Sequence, residues 1–127
     1  MMKVFFTIGV IAFSSVFAAE PLQHEVAAAK EFLAKAPKPV VLDVRTAEEF
    51  SEGHLPGAVL VTIGGNDFVE RVKKVVPMDK PVLVYCHSGG RSAKAIAALK
   101  AAGFSQLHEL TGGVTSWAEE KQELIKP

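Results

Sequence analysis

The sequence is poor in the residues that would settle its chemistry by composition. It has one cysteine, Cys86, in 127 residues, so no intramolecular disulfide and no multi-cysteine zinc site can form. Its fourteen Lys and Arg are cancelled by fourteen Asp and Glu, and no stretch concentrates basic residues among aromatics. The electrostatic footprint of a nucleic-acid-binding protein is therefore missing. Four histidines, His24, His54, His87 and His108, fall at no metal-ligand spacing, so no metal is expected. No internal repeat or low-complexity linker interrupts residues 19–127. One domain with a single core accommodates that length and the 49% hydrophobic content.

The single long apolar run lies at the start. Lys3 precedes a mostly apolar stretch from Val4 to Phe13, and Ser14 to Ala19 ends in small residues. This pattern is expected to be a secretory signal peptide of residues 1–18, cut after Ala18, leaving a domain of residues 19–127 in the periplasm or outside the cell. The alternative is an uncleaved membrane anchor, against which the run is shorter than the roughly 20 residues a span needs; after cleavage no stable insertion is expected.

Beyond it, short apolar runs alternate with helical patterns. Leu22, Val26, Ala29, Phe32 and Leu33 predict an amphipathic helix over Pro21 to Lys35. Val40 to Val44 is continuously apolar except at Asp43, as in a parallel strand covered on both faces. Thr46 and Glu49 form a capping box that starts a short helix ending near Gly53. Ala58 to Val61 predicts a strand, and Phe68, Val69, Val72, Val75 and Val76 predict the apolar face of a helix. Val82 to Cys86 is a further strand, Ser92 to Ala102 a helix closed by Gly103, and Gln106 to Leu110 the last strand. A terminal helix follows Gly112-Gly113 and buries Trp117. Strands alternating with helices predict an α/β fold, a central parallel sheet with helices on both faces, whose ligands bind beyond the carboxyl ends of the strands.

Cys86 stands at such an end. Four residues, His87, Ser88, Gly89 and Gly90, separate it from Arg91, and two of them are glycines able to take the positive φ of a tightly curled loop. Successive N–H groups of that loop can point inward at the sulfur and favour the thiolate, while the fork of Arg91 suits an oxyanion. Ser92 is expected to cap the following helix or to donate a hydrogen bond to the sulfur. His87 reads as a loop residue, because a loop whose backbone activates the thiol needs no base. His54 reads as bonded to backbone, and Asp43, Arg45 and Glu49 as an ion-pair and capping network near a strand end.

The stretch Cys86-His87-Ser88-Gly89-Gly90-Arg91-Ser92 resembles the active-site loop of single-domain rhodaneses. Asp43-Val44-Arg45 with Glu49-Phe50 and Gly53-His54-Leu55-Pro56-Gly57-Ala58 resembles that family's amino-terminal signature, and Leu110-Thr111-Gly112-Gly113 with Trp117 its carboxy-terminal one. The resemblance spans Val40 to Trp117. It implies a rhodanese-like sheet and a thiosulfate sulfurtransferase. Cys86 would take sulfur from a small-molecule donor such as thiosulfate as a persulfide and pass it to a thiophilic acceptor, a small molecule or a protein. Arg91 would hold the donor's sulfonate oxygens, and His87, Ser88, Gly89, Gly90 and Ser92 would line the substrate site. No cofactor is implied. Two rivals remain: a sulfur carrier or protein-binding module without turnover, and a Cys-dependent phosphatase, whose similar loop is longer between Cys and Arg. Family members often carry a short strand before the first helix. Here the predicted helix leaves it no room, so four strands are expected, or five if that strand is present.

Overall fold

The computed structural model describes residues 22–127; the expected signal peptide lies outside the described residues. Five strands, β1 (Leu22–His24), β2 (Val40–Asp43), β3 (Val59–Leu60), β4 (Val82–Tyr85) and β5 (Leu107–Leu110), form one sheet in the order β1-β5-β4-β2-β3. Every pairing in it is parallel. Between and after the strands run α1 (Val26–Leu33), α2 (Ala47–Glu52), α3 (Phe68–Lys73), α4 (Gly90–Ala101) and α5 (Gly113–Glu119).

Side chains that alternate along each strand divide the core in two. Leu42 and Val44, with Val82, Val84 and Cys86, pack under Phe68 and Val72 of α3 and Ala95, Ile96 and Leu99 of α4. Val41, Leu83 and Tyr85 point the other way, against Val26, Ala29 and Phe32 of α1 and Val114 and Trp117 of α5. All four residues of β4 are buried, which is why that run carries no charged residue. The sheet is thus covered on both faces, as the alternating pattern predicts. Its central strand delivers Cys86 to the carboxyl end.

Three expectations need correction. The first strand is present: Leu22–His24 pairs with His108, Glu109 and Leu110, so α1 starts at Val26 instead of Pro21. Leu22 is 57% exposed and belongs to no helix face; the open hydrogen-bonding edge of β5 recruits this segment instead. On α3, Val75 lies past the last helical residue and is 53% exposed, while Val76 turns into the core. Helix α4 begins two residues earlier than predicted. Gly89, at φ 132°, takes the N-cap position, so Ser92 lies inside the first turn and is not the cap. The capping box at α2 is present as expected, with Thr46 Oγ1 accepting from the Glu49 N–H and the Glu49 carboxylate accepting from the Thr46 N–H.

Candidate active site

Cys86 is 1% exposed and follows directly on β4. The loop after it turns back so that the Gly89 N–H donates to Sγ at 3.1 Å, and Ser92 Oγ, one turn into α4, lies 3.5 Å from the same sulfur. Burial alone would push the thiol pKa up. The Ser92 hydroxyl and the N–H groups of Ser92, Gly89 and Arg91 outweigh it, holding Cys86 below its ordinary value. The predicted convergence of backbone donors on the sulfur is therefore present.

The carbonyl side of the loop is held as firmly as the N–H side. Cys86 O accepts from Val114 N–H at 2.9 Å, and His87 O accepts from Thr115 N–H at 3.1 Å. The amino end of α5 thus clamps the two residues that begin the loop. The Gly112-Gly113 turn that starts α5 therefore belongs to the site's scaffold. His87 and Ser88 are exposed at the rim, Gly89 is half-buried and Gly90 exposed. The His87 ring reaches Thr115 Oγ1 at 3.3 Å.

Arg91 lies at the rim with both guanidinium nitrogens on one carboxylate: Nη1 donates to Glu49 Oε1 at 2.7 Å and Nη2 to Oε2 at 2.9 Å. This bond holds the Glu49 carboxyl down at about 2, with help from Thr46, and raises the Arg91 pKa. The expected network of Asp43, Arg45 and Glu49 is only partly one unit. Arg45 is buried against Asp43, with Nε to Oδ1 at 2.9 Å and Nη2 to Oδ2 at 2.7 Å, and also donates to Gly53 O. Its guanidinium lies 5.5 Å over the Tyr85 ring, whose hydroxyl accepts from Leu55 N–H. This pair fastens the chain from Gly53 to Leu55 against the end of β2. Glu49 is instead the partner of Arg91. His54 Nδ1 bonds the Leu55 carbonyl and its ring stacks on Phe50, a local structural role.

Two features escaped the sequence reading. Glu109, on β5 and only 8% exposed, accepts from Ser92 Oγ at 2.5 Å and from Gln23 Nε2 at 3.1 Å. A hydrogen-bonded path therefore runs from β1 through β5 to the hydroxyl beside the sulfur. A charged residue between Leu107 and Leu110, alternating onto the α4 face, is the signal that could have found it. His24 and His108, which no sequence spacing links, meet at 2.9 Å between Nε2 and Nδ1 and stack with Phe32. Burial lowers both their pKa values. That pairing depends on β1, whose presence the sequence left open.

Because its hydroxyl favours the charged form of the thiol, Ser92→Ala is expected to raise the Cys86 pKa. The pH midpoint of iodoacetamide alkylation should then move up, and an unchanged midpoint would remove Ser92 from thiol activation. The substitution also removes the donor to Glu109 Oε2, leaving only Gln23 on Oε1, a loss of about 1–3 kcal/mol in stability by denaturant titration.

A sequence model described as the rhodanese-like domain matches residues 25–120. The chain is 40% identical over 87 residues to thiosulfate sulfurtransferase 16, chloroplastic, of Arabidopsis thaliana, covering 61% of this chain and 72% of that protein. It is 33% identical over 117 residues to thiosulfate sulfurtransferase 18 of the same plant, covering 84% of this chain and 85% of the relative. Among solved structures, the rhodanese-like domain of an Anabaena protein superposes with a TM-score of 0.74 at 27% identity, over 86% of this chain and 81% of that one.

Proposed function

Since this chain belongs to the rhodanese-like domain family, we propose that it is a sulfurtransferase that carries sulfane sulfur on Cys86, with thiosulfate or a similar small molecule as donor. The observation that supports this most is the loop itself: a buried sulfur at a strand end, with N–H groups turned toward it and a guanidinium at the rim.

In the first half-reaction the Cys86 thiolate attacks the outer sulfur of thiosulfate. A new S–S bond forms at Cys86, the bond to the sulfonate sulfur breaks, and sulfite leaves with the bonding pair. The persulfide anion is stabilised by the same inward N–H groups that favour the thiolate. In the second half a thiophile such as cyanide or an acceptor thiolate attacks the outer sulfur, and Cys86 departs as a thiolate. Splitting the transfer into two displacements is what a covalent nucleophile accomplishes. Electrons and protons balance without a base or an electron carrier, so His87 has no proton to move in either half. Gly89 contributes through its N–H, as do Ser92 and Arg91, and Ser88 and Gly90 form the turn that aims them.

The test is the intact mass of the protein isolated from producing cells, before and after thiosulfate. A gain of one sulfur, removed by cyanide with thiocyanate released at each turnover, is expected. Gain without turnover would assign a sulfur carrier instead, and phosphate release from an aryl phosphate would assign a phosphatase. The same spectrum reads the amino terminus: a chain starting at Ala19 supports export to the periplasm, and one starting at Met1 or Met2 ends that proposal.

A further inference from the structure

The rim arginine does not present an open fork. A guanidinium recognises a sulfonate or carboxylate by two parallel N–H bonds, and Arg91 already makes both of them to Glu49. Nor is Glu49 a casual surface partner. It stands at the third position of α2, where Oε1 also accepts from the Thr46 N–H and Oγ1, both at 3.1 Å, so the helix cap holds its carboxylate in place. Arg91 and Glu49 are each only partly exposed, with side chains 36% and 26% accessible. The neighbouring arginine, Arg45, is likewise matched to Asp43. An anionic donor approaching the Cys86 thiolate therefore meets a fork that an internal carboxylate fills and a rim whose positive charge is neutralised.

We propose that Glu49 is a specificity-determining residue that occupies the Arg91 fork in place of the donor's oxyanion, so that the site discriminates against anionic sulfur donors and reagents. The inference rests on the sulfurtransferase reading for its donor, though not for the ion pair. Because the Glu49 carboxyl is held down at about 2, it stays charged at any working pH and the competition is permanent. A donor oxyanion must displace it or bind beside it against its charge. The charged groups that act on the fork are Glu49 from α2, the Cys86 thiolate and, behind them, Asp43 of β2, which Arg45 neutralises.

The experiment compares alkylation of Cys86 by iodoacetate, an anion, with that by neutral iodoacetamide, in wild-type and E49Q proteins. A change in thiol pKa moves both rates together, so their ratio reports the rim charge alone. Glutamine at the third helical position still serves a capping box, so α2 is expected to stay folded. In E49Q the iodoacetate-to-iodoacetamide ratio should rise at least about threefold, the scale of a partly exposed ion pair, and the thiosulfate KM should fall by a similar factor with kcat little changed. In E49Q/R91A the gain should vanish. R91A alone should raise the thiosulfate KM, as expected of a fork the donor uses. If Glu49 merely orients Arg91 for the donor, the ratio falls and KM rises in E49Q, which would overturn the proposal, as would an unchanged ratio. A rising ratio in a protein that accepts no sulfur would sink the sulfurtransferase reading and leave the competition at the fork standing.

Discussion

Cys86→Ser is expected to bring sulfur uptake and turnover to the background seen without protein, while the fold survives. The wild-type sulfur is activated by several small contributions: the Gly89 N–H at 3.1 Å, Ser92 Oγ at 3.5 Å, and the further N–H groups of Ser92 and Arg91. Those neighbours lower the thiol pKa, but a serine hydroxyl starts several pH units higher, beyond what hydrogen bonds at one loop supply. Its oxygen also lacks the polarizability that makes a thiolate attack divalent sulfur readily. The fold should tolerate the change, because the smaller hydroxyl inherits polar neighbours where Cys86 is buried. The measurement is thiosulfate-dependent mass gain and thiocyanate release, with thermal melting as the control. A Cys86→Ser protein that melts as the wild type does and still turns over would end the proposed mechanism.

The parts of this site that were legible in the sequence are those encoded within a few residues. Continuous apolar runs marked β2 and β4, the Thr46 to Glu49 spacing marked the start of α2, and the glycines between Cys86 and Arg91 marked a loop able to curl on its own sulfur. Each rests on local period, local capping or a local φ requirement. What was not legible depends on the order β1-β5-β4-β2-β3. Arg91 and Glu49 stand 42 residues apart in sequence and meet because β4 lies beside β2, with both chains leaving the sheet at the same end. Ser92 and Glu109, 17 residues apart, meet because β5 flanks β4 on the other side. The strand β1 was obscured by its own length: three residues with an exposed leucine carry too little alternation to compete with the helical pattern that follows. It forms because β5 has a free edge, a fact about the assembled sheet. Asp43, Arg45 and Glu49 were correctly read as ionic and capping residues near a strand end, yet spacing could not say that Glu49 turns to the cysteine loop and Arg45 away from it.

Gly113→Ala is the substitution expected to cost the most stability, and the reason joins the carboxy-terminal motif to the cysteine. Gly113 sits at φ 58°, and a Cβ there would lie 2.6 Å from the His87 carbonyl oxygen and closer still to that of Cys86. Both obstacles are backbone, and both carbonyls are pinned by the N–H groups of Val114 and Thr115, so neither can swing aside as a side chain would. Close approach of α5 to the loop is possible only because this position has no side chain. Left-handed backbone strain and the clash together should cost about 3–5 kcal/mol, a large share of the 5–15 kcal/mol typical of a domain's stability. Gly57 provides the control: it has φ 76° with nothing within 4 Å of an added Cβ, so Gly57→Ala carries the strain without the clash. That variant should lose only about 1–2 kcal/mol. Denaturant titration of both separates the two costs, and equal losses would show that α5 and the loop can part cheaply. If they do part, the Cys86 carbonyl loses its anchor and the following N–H groups lose their aim at the sulfur. Iodoacetamide reactivity of the folded Gly113→Ala protein at neutral pH should then fall with its stability, whereas Gly57→Ala should keep the wild-type rate.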